Sequence, residues 1–314
     1  MPSSSAGLAP VGRHPRAPER DGRRVRWRRI WDREAASAYR FLLVPLLLLA
    51  LVKLYPFVYN FVLSVTRDSF GGDLGFVGLD NYRNTLSQQA TVNALRNSIY
   101  LTALVVPLGT LLALFVALAA NERTRFRAWI RLGFVLPMVT SVVVGSMVWG
   151  LILLPRGGLL NTALQTQGLN WLATPNLAMP AVAVVILWGA IGLNMLVFLA
   201  ALQDIDTEVI DAAIVDGASY AQRIRYVVIP WIRPVLLFVV ATLTITVFRS
   251  FGVIFVLTQG GPVQRTNTLV WEVYLNAFSY LRFNEAAAIS GIMVSTILLL
   301  TTVYLRAIRR TEAS

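Results

Sequence analysis

The sequence predicts an all-α protein that crosses a membrane with six helices. Three observations carry this. Hydrophobic residues make up 56% of the 314 and charged residues only 14%, against about a quarter charged in an ordinary soluble domain. Apolar runs of about 20 residues recur along the chain, which is the length a helix needs to cross a bilayer. Basic residues gather in alternate connections between those runs, the pattern left by arginines retained on the cytoplasmic side.

Residues 1–38 are polar and rich in Pro, Ser and Arg, with the cluster RRVRWRR at Arg23 to Arg29. They are expected to form a disordered, Arg-rich cytoplasmic tail held near anionic membrane lipid. No small-residue cleavage site precedes the first apolar run, so the tail does not read as a secretory signal. Residues 39–310 are expected to form the six-helix membrane domain. The first span covers 41–64 and contains Pro45 and Pro56, which membrane helices tolerate. Lys53, the only lysine, must snorkel or face protein. Tyr55, Phe57 and Tyr59 suit an interfacial belt at the outer end.

The connection 65–94 is glycine-rich in its first half. Its second half is expected to form a short interfacial helix capped by Asp80. The second span covers 97–120 and runs into NERTRFRAWIR, with four arginines in eleven residues. The third covers 130–153, where Pro137, Gly145 and Gly150 allow bending and close helix contacts. A weakly charged connection follows, with turns at Gly157–Gly158 and Pro175 and room for a short helix. The fourth span covers 179–202, the fifth 235–257 and the sixth 286–305, with an outer loop from 258 to 285.

Six spans place both termini on one side. Of the 28 basic residues, ten lie up to Arg40, four in 121–131, three in 203–234 and three at Arg306, Arg309 and Arg310. The remaining eight are scattered over the other loops and the spans. Both termini are therefore expected in the cytoplasm of a multi-pass plasma or inner membrane protein. The net charge of +12 does not point to nucleic acid, because the charge sits in short loops and the tail. There is no cysteine, and His14 is the single histidine. Thiolate chemistry, His-based zinc sites and His-dependent catalytic triads are excluded.

The longest polar interruption of the second half is residues 203–234, acidic at first and basic at its end. Asp204 or Asp206 is placed to cap a helix starting near Thr207. Asp211, Ala212 and Ala213 fall in its middle, and the alanines leave little bulk. Gly217 can take left-handed geometry and end the helix. A second stretch, Ala218 to Ile229, returns to the bilayer and is expected to stop at Pro230. The spacing reads equally as a plain interfacial helix or as a docking surface for a partner, with acids available to basic groups and small residues permitting close approach.

That segment resembles the EAA motif of ABC-importer permeases. The motif is read here as Asp211-Ala212-Ala213, then Asp216-Gly217, then Ile229-Pro230. DGAS at Asp216 to Ser219 and IPWIRP at Ile229 to Pro234 resemble its sugar-permease version. FVGLDNYRNTL from Phe76, LYPFVYNFVLSV from Leu54, and GGP at Gly260 to Pro262 followed by TNTLVWEVYLNAF resemble the MalF/UgpA-type, or first, sugar permease. The first acid is Asp211 where the family usually has Glu, which keeps the charge on a shorter side chain. MalF itself has two further N-terminal spans and a large outer domain; this chain is similar to the shorter six-span form.

The resemblance implies a type I ABC importer (MetI-like) permease fold that does no covalent chemistry. It implies a second, homologous permease, two ATP-hydrolysing subunits beneath and an extracytoplasmic solute-binding protein above. ATP and magnesium would bind those ATPases, and the sequence has no GxxxxGK[ST] phosphate loop of its own. Asp211, Ala212, Ala213, Asp216, Gly217, Ile229 and Pro230 would form the coupling element, with its helix near 204–217. The solute implied is a sugar or oligosaccharide; glycerol-3-phosphate or a related polyol phosphate is the alternative. An ion-coupled secondary transporter is the competing class, marked by paired repeats that this sequence does not clearly show.

Polar residues inside spans are candidate pathway residues. Here they are Asn194 in span four and Thr242, Thr246 and Arg249 in span five. Thr242 and Thr246, four apart, share a helix face. Trp188 is a candidate to stack on a sugar ring, and Arg249 to meet a hydroxyl or a phosphate. The threonines are equally able to bond to their own helix, and Arg249 to snorkel.

Overall fold

The computed structural model describes residues 38–39, 41–67, 75–122, 125–166 and 168–310. The tail expected over 1–38 therefore lies, up to residue 37, outside the described residues, as does His14. The elements are α1 (Phe41–Ser64), α2 (Asp80–Ser87), α3 (Gln89–Asn121), α4 (Arg127–Val139), α5 (Val142–Ile152), α6 (Leu159–Leu164), α7 (Ala178–Gln203), α8 (Thr207–Val215), α9 (Tyr220–Trp231), α10 (Arg233–Phe248), α11 (Phe251–Leu257), α12 (Leu269–Tyr274) and α13 (Phe283–Arg310). Helix α1 widens into a π turn at Ala50–Leu54, α9 at Ile224–Val228, and α12 runs on as one at Leu275–Ser279.

Four unbroken helices are long and apolar enough to cross a membrane: Phe41–Ser64, Gln89–Asn121, Ala178–Gln203 and Phe283–Tyr304. Two bent pairs, α4 with α5 at 107° and α9 with α10 at 74°, bring the total to six if each crosses once. The protein is thus an all-α, multi-pass membrane fold.

Contacts divide the chain at Tyr59/Asn60. In the first unit every described residue is exposed except the half-buried Ala50. Tyr55 and Tyr59 stack at 6.0 Å along one face of α1.

The second unit is built around α3 and α7. Hydrophobic transfer does not hold helices together in lipid, so packing must. On α3, Ala113, Ala117 and Ala120 form a stripe with no exposure, which lets α7 approach with Met195, Phe198 and Leu202. Leu243 of α10 completes that cluster, and a Cβ on Gly109 would stand 3.1 Å from its Cδ1. Helix α4 lies closer still on α7. A Cβ at Gly192 would fall 2.0 Å from the Phe134 carbonyl oxygen. Leu108, Leu111 and Phe115 face outward, as suits lipid.

Several expectations are corrected. The third span is not one helix: Thr140 and Ser141 are extended, with ψ of 136° and 131°. Pro137 supplies no N–H, and the chain turns by 107° just after it. The fifth span is also interrupted, α10 ending at Phe248 and α11 starting at Phe251. Pro230 does not stop the preceding helix. The π turn before it gives Ile229 N–H the Ile224 carbonyl, and the helix ends only at Ile232, φ −86°, ψ 5°. Helix α3 begins at Gln89, well before 97. Asp80 is the first residue of α2 and not its cap; Leu79 holds that position without a side-chain bond. The outer loop 258–285 contains α12, which packs on α3 and α13.

Polar side chains fasten the connections. Asn81 Nδ2 donates to the Ser64 and Thr66 carbonyls at 3.0 and 2.8 Å. Asn284 Nδ2 donates to those of Leu63 and Thr66 at 2.9 and 2.6 Å. Tyr82 Oη donates to Ser64 Oγ at 2.8 Å. Carbonyls at a helix end have no partner within the helix, and these amides satisfy them. In the 154–171 connection Asn161 serves as the hub. It donates to Leu154, Pro155 and Leu169 carbonyls and accepts from Thr166 Oγ1 and Trp171 Nε1.

Candidate functional site

Two places gather the residues singled out in the sequence. The first is the α7–α9 connection. Asp206 caps α8, its Oδ1 accepting from Glu208 N–H at 3.0 Å. Asp204 does not cap it. The helix has no buried residue. Asp211, Ala212, Asp216 and Gly217 are exposed and Ala213 is half-buried. Val215 at the end of α8 is 85% exposed.

The end of α8 is closed by a left-handed residue. Gly217 has φ +78°. Its N–H donates to the Ile214 carbonyl and that of Ala218 to the Ala213 carbonyl, both at 3.0 Å, the two bonds of a Schellman stop. Ser219 immediately caps the next helix in a reciprocal box with Gln222. The sequence reading missed that box, although Ser-x-x-Gln is its signature. DGAS thus encodes a stop and a restart within four residues. Beside it a recess of about 280 Å³ is lined by Asp216, Gly217, Gln222, Arg223 and Tyr226. Ile229 is half-buried and Pro230 exposed at the far end of α9.

The second place is a cavity of about 280 Å³ at the breaks of α4/α5 and α10/α11. Thr140, Ser146, Trp188, Thr246, Arg249 and Ser250 supply its polar and aromatic wall. Irregular backbone at membrane depth is tolerated where it lines such a cavity. The breaks lie side by side, since a Cβ on Gly252 would stand 3.3 Å from Val142 Cγ1. Trp188 packs edge-on against Trp149 at 6.2 Å and over Gly145, where a Cβ would come within 2.9 Å. Arg249 is exposed and, among the described residues, has no carboxylate partner.

Three of the five pathway candidates, Trp188, Thr246 and Arg249, therefore share one wall. Asn194 and Thr242 do not line it. They face each other between α7 and α10, Thr242 Oγ1 standing 3.2 Å from Asn194 Oδ1. Asn194 Nδ2 returns to the Ala190 carbonyl at 2.8 Å. The threonines also bond to their own helix, Thr242 to Val239 and Thr246 to Thr242. Thr140, Ser146 and Ser250 were not foreseen; only the helix breaks and facing surfaces bring them to the cavity. A larger cleft, about 730 Å³, opens at the start of α3 and α7 between Arg96, Tyr100 and Arg265. It holds none of the sequence candidates. Among the described residues no three His, Cys, Asp or Glu side chains cluster as metal ligands would.

Helix α7 joins the two places. From Trp188 to Asp204 it rises about 24 Å at 1.5 Å per residue.

Comparison with known proteins shows the family. Residues 106–312 match the family described as "Binding-protein-dependent transport system inner membrane component". The chain is 33% identical over 276 residues to the sn-glycerol-3-phosphate transport system permease protein UgpA of Yersinia pestis, covering 87% of this chain and 94% of that one. It is 33% identical over 282 residues to the trehalose/maltose transport system permease protein MalF of Thermococcus litoralis, again covering 87% and 94%. A crystal structure of a bacterial ABC transporter involved in the import of the acidic polysaccharide alginate superposes with a TM-score of 0.74. The match covers 90% of this chain and 99% of that chain at 21% identity.

Proposed function

The chain belongs to the binding-protein-dependent transport system inner membrane components, and on that premise we propose how it couples and what it carries. As a family member it is a permease component of an ABC importer, a non-catalytic transport subunit. In our reading it forms half of a pathway with a second, homologous permease. Two ATPase subunits bind ATP and magnesium, and a binding protein delivers the solute. Both termini lie in the cytoplasm of the inner membrane, as the arginine distribution favours.

Helix α8 is the coupling helix. Its exposed Asp211, Ala212, Asp216 and Gly217 meet the ATPase, and Ile229–Pro230 mark the return to the bilayer. Closure of the ATPase pair moves α8, and α7 carries that movement to the breaks at Thr140–Ser141 and Arg249–Ser250. The cavity is thereby exposed first to one side and then to the other. This is a two-state equilibrium biased from a distance by nucleotide.

The observation that carries the reading is the pairing of an aromatic face and hydroxyls in one cavity at two adjacent helix breaks. Trp188 offers a platform for a sugar ring, while Thr140, Thr246 and Ser250 offer hydroxyls. We therefore favour a sugar or oligosaccharide, in line with the relative named for trehalose and maltose. A second reading rests on Arg249, a cation at the cavity without an anionic partner among the described residues. An anionic group would pair with it, which favours a polyol phosphate, in line with the relative named for glycerol-3-phosphate.

The test is binding-protein-dependent ATP hydrolysis in the complex reconstituted with its native partners. Stimulation by maltose or trehalose supports the first reading. Stimulation by glycerol-3-phosphate, lost in Arg249→Gln, supports the second. Uptake that persists without the ATPase and collapses with the ion gradient would overturn both.

A further inference from the structure

Glu272 is a buried carboxylate that the transport reading does not use. It lies in the first turn of α12 and is 3% exposed. Asn267 Nδ2 donates to its Oε2 at 2.8 Å and Asn276 Nδ2 to its Oε1 at 3.2 Å. Both asparagines are themselves buried, at 3% and 1% exposure. Amides and helix dipoles stabilise a carboxylate but carry no charge that cancels it. Among the described residues no arginine, lysine or histidine pairs with Glu272. Arg282, a cationic group that lines the same cavity, stands 3.7 Å from Glu285, which also accepts from Gln88 Nε2 at 2.9 Å.

Asn267 Oδ1 is buried without a hydrogen-bond partner among the described residues. Glu272, Asn267 and Asn276 line a cavity of about 330 Å³, shared with Gln88, Gln264 and Arg282. A buried carboxylate and an orphaned amide oxygen on one small cavity ask for a positive partner. The donors are all hard oxygens, which exclude metals that need sulfur or nitrogen. Calcium draws six to eight oxygens, usually with several carboxylates. Here a single carboxylate balances a single positive charge.

The geometry points to a monovalent alkali-cation site formed by the Glu272 carboxylate and Asn267 Oδ1. The ion ties the 258–268 loop, which carries Asn267, to α12. Thr266 and Asn97 already hold that loop: Thr266 Oγ1 donates to the Gly261 carbonyl at 2.6 Å, and Asn97 Nδ2 to the Gln264 and Asn267 carbonyls at 2.7 Å. The ion supplies the charge that these bonds leave unbalanced.

The experiment is thermal unfolding of the full-length chain in nanodiscs, titrated with NaCl or KCl against choline chloride at constant ionic strength. At a tenfold excess over the dissociation constant, the midpoint is expected to rise by about 2 °C. Glu272→Gln, which keeps the size and one amide oxygen, abolishes the rise, and Asn267→Ala weakens it. If Glu272→Gln does not fold, Asn267→Ala alone decides. No saturable difference from choline in the wild-type chain overturns the site, as does an equal rise in the variants. A response to CaCl₂ with none to NaCl or KCl overturns the monovalent assignment.

Discussion

Replacing Gly217 separates two explanations for a glycine in the proposed coupling segment. Its φ of +78° places it in the left-handed region. An ordinary L-residue there costs about 1–2 kcal/mol, and Asn less. Within this chain a Cβ at Gly217 would meet nothing within 4 Å, so steric overlap contributes nothing and conformation is the whole cost. A cost of this size changes the population of the closed turn roughly 5- to 30-fold. Because α8 buries no residue, the loss appears as local opening and not as global unfolding. Gly217→Ala is therefore expected to lower binding-protein-stimulated ATP hydrolysis about tenfold, with the unfolding midpoint little changed. Gly217→Asn should stay within about twofold of wild type, since Asn tolerates this backbone. The order matters most. If a partner surface needs the space, the larger Asn must be worse than Ala. Equal impairment, or Asn worse than Ala, refutes the conformational account.

Three further outcomes are expected. Gly192→Ala places a Cβ 2.0 Å from the Phe134 oxygen. Helices α4 and α7 must then separate, at about 1–3 kcal/mol, and a lower unfolding midpoint in detergent checks this; an unchanged one would mean the helices do not touch there. Asp206→Ala removes the bond to Glu208 N–H and about 1 kcal/mol of capping. Hydrogen exchange at the Thr207–Ile210 amides should quicken about fivefold while α7 stays protected. Asn284→Ala removes the 2.9 Å donor to the Leu63 carbonyl, which keeps Thr66 N–H and Oγ1 at 3.3 Å, while the Thr66 carbonyl keeps Asn81. Chemical denaturation should show a loss of about 0.5–1.5 kcal/mol, and a smaller loss than in the Asn81, Asn284 double variant.

What was legible in the sequence was local. Asp206 reads as a cap because its carboxylate needs only the N–H two residues on. Gly217 reads as a stop because the penalty on other residues is intrinsic to the backbone. The unbroken spans follow from the length of apolar runs. What was not legible depends on neighbours. Pro137 is compatible with a bend or with a straight membrane helix, and nothing around Arg249–Ser250 marks a break. Both interruptions owe their place to surfaces that meet across the fold. Helix α12 is too short to announce itself against its polar flanks; packing on α3 and α13 holds it. Asn194 and Thr242 were recognisable as polar groups at depth. Whether they face a cavity or each other depends on how α7 and α10 are rotated, and period alone does not settle that between two well-packed helices. The opposite held for Trp188, Thr246 and Arg249, which do reach one wall.

The two adjacent breaks also have a mechanical meaning. An uninterrupted helix behaves as a see-saw: tilting one end swings the other by an equal and opposite angle. Cut at Thr140–Ser141 and Arg249–Ser250, the two segments no longer obey that constraint. Helices α5 and α11 pack mainly on each other, whereas α4 rests on α7 and α10 rests mainly on α3, which is itself packed on α7. In the proposed cycle the pair beyond the cuts swings as one shutter while the pair before them stays seated, so that one mouth of the chamber is held shut while the other is worked.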